Sequence, residues 1–291
     1  MSIKKILVTL LVIGILGVAG FWFKNNIVAF YHSATTKIQD FQKTDFGDIV
    51  NEVARDVLSP DPLNIGGKSN AVVLTSKKVI TETNLQRQQN GNLPALKENE
   101  KLNAAAKAKA DDMFKNQYFE HISPSGIGPG DLATTYGYEY ITEGENLILG
   151  NFTSEKEVVQ DWMNSPGHRA NILNNRFTEI GVAMVKGTYK GQTAWIGVQE
   201  FGLPLSSCSP PSVTLKNQIN SNKAVLDQLS VAIQTKRNEI NTTDQYSPKY
   251  NQLVDEYNQM VDQYNKLNDQ TKKFINNYNS QVTTFNQCVK G

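Results

Sequence analysis

Hydrophobic positions along the 291-residue chain change rhythm several times, and each rhythm predicts a different element. From Ile6 to Phe23 there is no charged residue, with Lys4 and Lys5 before the run and Lys24 after it. A helix of that length covers roughly 27 Å, enough to span a bilayer, and the early lysines place the following chain outside. Residues 1–24 are therefore read as a transmembrane anchor, with a cleaved signal peptide ending near Val18–Gly20 as the alternative. Residues 25–73 read as a stalk and linker: an interrupted amphipathic stretch (Ile38, Phe41, Ile49, Val53, Val57), then Pro and Gly gathered in "SPDPLNIGGKSN".

A compact domain is expected over 74–205. A helical run ends at the Asn90-Gly91 turn, and a second helix over about Lys97–Lys115 spaces Leu102, Ala105, Ala106, Ala110 and Phe114 for one buried face. "EKEVVQDWM" predicts another helix. Alternation from Ile180 to Phe201 around Gly187 and Gly191 predicts a β-hairpin. Helices first and a hairpin last make an α+β domain. Over 206–291 the apolar steps become four and three: Leu215, Ile219, Leu226, Leu229, Ile233 and Ile240, then Tyr250, Leu253, Tyr257, Met260, Tyr264, Leu267 and Phe274. Two such seams joined by one turn predict an antiparallel α-helical coiled-coil hairpin.

Composition narrows the partners. Lys+Arg of 29 against Asp+Glu of 28 leave a net charge of +1, so no field attracts nucleic acid, while 39% hydrophobic residues suffice for a core. An exported chain meets oxidising conditions, so Cys208 and Cys288 are expected to form a disulfide at the base of the hairpin. The alternative is a straight helix pairing with its own copy.

Only three histidines occur, His32, His121 and His168; the first falls in the stalk and is read as an ordinary exposed residue. The other two lie in "YFEHISPSG" and "DWMNSPGHRANIL". Together with "GENLILG", "FTEIGVA" and "WIGVQEFG", in this order, these stretches resemble the CAP superfamily (cysteine-rich secretory, venom-allergen and plant pathogenesis-related proteins) in its bacterial SCP-like branch. The resemblance covers roughly 74–203. It implies an α-β-α sandwich with a cleft in which histidines and acidic residues converge, here His121, Glu145 and His168. Where eukaryotic members carry a second glutamate, this chain has Ser165, three residues after Trp162; Glu179 is the nearest candidate to restore a carboxylate. Glu120 and Glu143 are read as facing outward, and Asn146 as a turn residue.

Two neutral imidazoles suit Zn or another divalent metal, so His121 and His168 are the candidate metal ligands, with Glu145 beside them. The leading expectation is a membrane-anchored, extracytoplasmic protein binding a ligand or divalent metal in this cleft, and it is not assigned as an enzyme. The alternatives are a metal-assisted hydrolase acting on cell-envelope polymers, and a coiled coil that is itself a partner-binding module. Partners are then the membrane, through the N-terminal helix, and a protein on the coiled coil; secretion after signal cleavage is the alternative location.

Overall fold

The computed structural model describes residues 55–68 and 71–291. The expected membrane helix, most of the stalk and His32 lie outside the described residues. Among those described, no helix is long and apolar enough to cross a membrane. The chain divides into two compact units, one holding residues 50–210 together with 284–291, the other holding 211–283.

The first unit is built on a six-stranded sheet. Its elements in chain order are β1 (Asp56–Leu58), β2 (Leu63–Gly66), α1 (Ser76–Gln89), β3 (Lys97–Glu98), α2 (Glu100–Asn116), α3 (Pro129–Thr135), β4 (Tyr140–Gly150), α4 (Glu155–Asn164), α5 (Pro166–Ile172), β5 (Glu179–Tyr189) and β6 (Gln192–Pro204). The strand order is β1-β4-β6-β5-β3, with β2 also on β4. The long strands β4, β6 and β5 are antiparallel neighbours, whereas β1, β2 and β3 add in parallel. The segment read as linker therefore contributes two strands to the sheet.

Alternation along the strands sends side chains into two layers. Ile148, Ile180, Val182, Trp195 and Phe201 pack with Val79 and Ile80 of α1, Trp162 of α4 and Ile172 of α5. Leu147, Leu149, Ala183, Ile196 and Val198 face Ala106, Ala110 and Met113 of α2. Helices thus cover both faces, giving the expected α-β-α sandwich.

The local causes are legible. Asn99 caps α2 by accepting from the Lys101 and Leu102 N–H groups. The helix accordingly starts at Glu100 rather than at Lys97, which is taken by β3. It stops at Gln117, which sits in the left-handed region (φ 54°). Ser154 caps α4 through the Glu157 N–H. The β5–β6 hairpin closes on Lys190-Gly191, both at positive φ, as a two-residue turn of this hand requires. Gly187 is not part of the turn; it lies within β5, where Phe114 packs over it.

Cys208 and Cys288 form a disulfide, with Cα atoms 5.8 Å apart, packed with Ile141, Phe285 and Val289. The intrachain expectation is borne out. In the second unit, α6 (Val213–Thr242) and the part of α7 (Pro248–Lys290) up to Thr283 run side by side in opposite directions. Pairing of Asn222 with Thr271 and of Lys236 with Glu256 fixes that direction. Their shared core is Ile219, Leu226, Ile233 and Ile240 against Leu253, Tyr257, Val261, Tyr264 and Ile275. Val261 and Ile275 are buried, whereas Met260 and Phe274, which the apolar spacing puts on the seam, are partly buried.

Candidate functional site

β4 carries the centre of the site, and all eleven of its residues are buried. Glu145 and Asn146 point to opposite layers, so one strand supplies two polar groups to two faces. On the α2 side, His121 comes from the loop after α2 and places Nδ1 2.6 Å from Glu145 Oε1. Its Nε2–H donates to the Pro60 carbonyl. The loop is held by Lys109 of α2, whose Nζ donates to the His121 carbonyl and to Tyr118 Oη. On the other side, Asn146 Nδ2 donates to the His168 carbonyl and to Gln199 Oε1. Asn171 Nδ2 donates to Asn146 Oδ1 and to the Leu58 carbonyl. His168 is buried, with Nδ1 2.8 Å from Ser165 Oγ.

The structure therefore brings His121 and Glu145 into direct contact. It places His168 near enough to feel the charge of His121, but bonds it to Ser165. Ser165, at the point where the family's second glutamate is absent, is the partner of His168 rather than an empty position. Glu179 does not restore the missing carboxylate: it lies on β5, two strands from β4, and accepts from Asn99 Nδ2. The added carboxylate is Glu200 of β6, directly across from Glu145 in the ladder.

Glu143 also differs from its outward reading, being fully buried one pleat along β4 from Glu145. Among the described residues, three carboxylates thus share one layer with a single buried ammonium, that of Lys109. Burial pushes the Glu143 carboxyl up to about 8 and Glu200 well above the usual carboxylate range, with Glu145 adding like-charge repulsion. Neither Glu143 nor Glu200 has a donor partner among the described residues. Glu200 lies within hydrogen-bonding reach of both Glu143 and Glu145, so the acids form a chain leading through Glu145 to His121. Burial also lowers Lys109, opposed by the Glu145 and Glu200 charges. His168 is pushed down to about 4, first by burial and then by His121, so it is neutral at physiological pH.

These shifts set a pH dependence. His168, depressed in the fold, contributes stability that is complete above about pH 6.5 and drains away as the pH falls towards 4, of the order of 3 kcal/mol. Glu143, raised in the fold, contributes stability that is complete below about 4.5 and drains away as the pH rises towards 8. Melting temperatures measured across pH should show Glu143→Gln flattening the alkaline limb and leaving the acid limb alone, while His168→Gln flattens only the acid limb. Profiles that superimpose on wild type would contradict this.

Metal binding can be tested on the donors. A ligand nitrogen must be free of its proton. His121 Nε2 donates to a carbonyl, His121 Nδ1 is tied to Glu145, and His168 Nδ1 is tied to Ser165. His168 Nε2 is buried and turned to the Leu147 backbone, which favours a proton on the ring. No group of three His, Cys, Asp or Glu side chains is placed to hold an ion among the described residues. In this arrangement the residues do not fit the zinc-type site expected of His121 and His168, because the ring nitrogens are already committed to protein partners.

The profile of the Cysteine-rich secretory protein family (CAP) matches residues 80–201. The chain is similar to the uncharacterized protein YkwD of Bacillus subtilis, 48% identical over 110 residues that make up 38% of this chain and 42% of that protein. It is also similar to the uncharacterized membrane protein YlbC of the same organism, 29% identical over 40% of this chain and 33% of that protein. The chain spans less than half the length of either relative. Among solved structures, it resembles an extracellular protein containing an SCP domain from Bacillus anthracis, with 31% identity, a TM-score of 0.38, and coverage of 44% of this chain and 39% of that one. It also resembles an outer surface protein of Borrelia burgdorferi, with 25% identity, a TM-score of 0.39, and coverage of 44% of this chain and 91% of that one.

Proposed function

We propose that this chain, whose residues 80–201 match the CAP profile, is an extracytoplasmic, membrane-anchored protein of the bacterial CAP superfamily that binds a ligand in the cleft of His121, Glu145 and His168. The observation that carries the reading is the pairing of half-buried His121 with the fully buried Glu145 of β4, with a ring N–H directed at a peptide carbonyl rather than into the core. Buried, proton-coupled groups that meet at a cleft mark a binding site more often than a structural one. The Cys208–Cys288 bridge supports an oxidising compartment. In this reading the charge-free run Ile6–Phe23 is the anchor, and the α6–α7 pair is a coiled coil available to a protein partner.

A second reading, hydrolysis of envelope polymers, draws on the acid chain ending at His121, which has the makings of a general acid or base. Titrating the full chain with solubilised envelope peptide and glycan fragments, while following the imidazole resonances of His121 and His168, tests these readings together. Saturable shifts without turnover are expected. Product formation would favour the second reading, and the absence of any shift would overturn the first.

A further inference from the structure

The cleft already has an occupant, the chain's own segment Arg55–Gly66. β1 pairs with β4 as far as Gly144, and β2 resumes the pairing at Ile148. Between them Ser59, Pro60, Asp61 and Pro62 pass over the part of β4 that bears Glu145. Pro60 and Pro62 have no N–H to give a ladder, so this stretch lifts off the sheet edge and is held by side chains instead. His121 Nε2–H donates to the Pro60 carbonyl, and Asn171 Nδ2 donates to the Leu58 carbonyl. Two donors thus read two carbonyls two residues apart, the repeat of an extended strand. Pro60 rests on Gly167, where an added Cβ would come within 2.6 Å of the Pro60 Cβ, so the absence of a side chain in "SPGHR" makes the seat for the proline ring.

The hold is specific in its polar contacts and weak in its apolar ones. Leu63 packs at the margin of the core, but Val57, Leu58 and Ile65 stay 41%, 39% and 45% exposed, and the outer end is tied by Arg55 to Glu139 on the surface. Contacts of this kind, few and at most partly buried, belong to the part of a fold that opens locally.

Resting on the reading of the cleft as a ligand site, we propose that its ligand is an extended peptide of another protein with a proline in the place of Pro60, and that residues 55–66 are a resident strap which such a peptide displaces. Recognition is then main-chain addition to the edge of β4, with His121 and Asn171 reading carbonyls and Gly167 reading the proline. The tethered strap competes at a high effective concentration, so the full chain binds weakly until the strap is loosened.

The probe is a fluorescent synthetic peptide of sequence RDVLSPDPLNIG, titrated against the full chain and against Arg55→Ala/Val57→Asp, which loosens the strap without touching the reading residues. The loosened chain should bind at least tenfold more tightly than wild type. Adding His121→Ala or Asn171→Ala to it should each lose at least tenfold, the second serving if the first fails to fold, and a scrambled probe should not bind. A loosened chain that melts within a few degrees of wild type yet ignores the probe overturns the proposal. So does binding indifferent to both side chains, or probe uptake replaced by dimerisation, which would mean strap exchange between copies. Glycan fragments that shift His121 while the probe does not bind would overturn the peptide ligand and leave the ligand cleft standing.

Discussion

Gly181→Ala is expected to leave little of the first unit folded. A Cβ at Gly181 would lie 2.1 Å from the Leu102 carbonyl carbon, 2.3 Å from the Asn103 nitrogen and 2.4 Å from the Leu102 Cβ. Two of those three atoms are backbone, so no rotamer change relieves the overlap; α2 must move away from β5. That helix carries Ala106, Ala110 and Met113 into the core and Lys109 into the site, so the displacement opens both. A loss above about 4 kcal/mol, at the far end of single-residue effects, takes most of the stability of a domain of this size. Denaturant melts of soluble protein check it. Gly191→Ala is the comparison: its φ of +79° strains an alanine, but nothing stands within 4 Å, so the cost should stay near 1 kcal/mol. A Gly181→Ala protein within 1 kcal/mol of wild type would show that α2 can yield.

Removing the disulfide should have the next largest effect. Cys208 and Cys288 are 80 residues apart, and a loop of that size constrains the unfolded chain by about 4 kcal/mol on chain-entropy grounds. Cys208→Ser/Cys288→Ser should lower the urea midpoint of the first unit accordingly, and reductant should do the same to wild type. The last turn of α7 is also held there by Phe285, Val289 and a bond from Arg176 to the Val289 carbonyl. Far-ultraviolet circular dichroism should meanwhile keep the α6–α7 signal, because that pair rests on its own apolar seam from Ile219 to Ile275. A midpoint unmoved by reduction would mean that the unfolded chain is already compact around this loop.

The sequence determined a good deal unaided. Amphipathic periods gave α1, α2, α4 and the two long C-terminal helices, because each buries one stripe and exposes the rest. Motif order placed His121, Glu145 and His168 in one domain, and the count and context of the cysteines gave the bridge. Tertiary structure decided what period cannot carry. β4 is covered by helices on both faces, so its polar residues do not alternate outward: Glu143 and Asn146 read as exposed or turn residues, yet both are buried. Glu200 shares the inward parity of Ile196 and Val198, a signal available in "WIGVQEFG" but meaningful only once Glu145 is known to stand opposite it. The strap reads as a linker because prolines break its pattern; only the fold brings its carbonyls to His121 and Asn171, residues more than 60 positions away. Periodicity records what one element does with its own faces, whereas proton sharing, ring-nitrogen commitment and cleft occupancy depend on which distant groups the fold sets side by side.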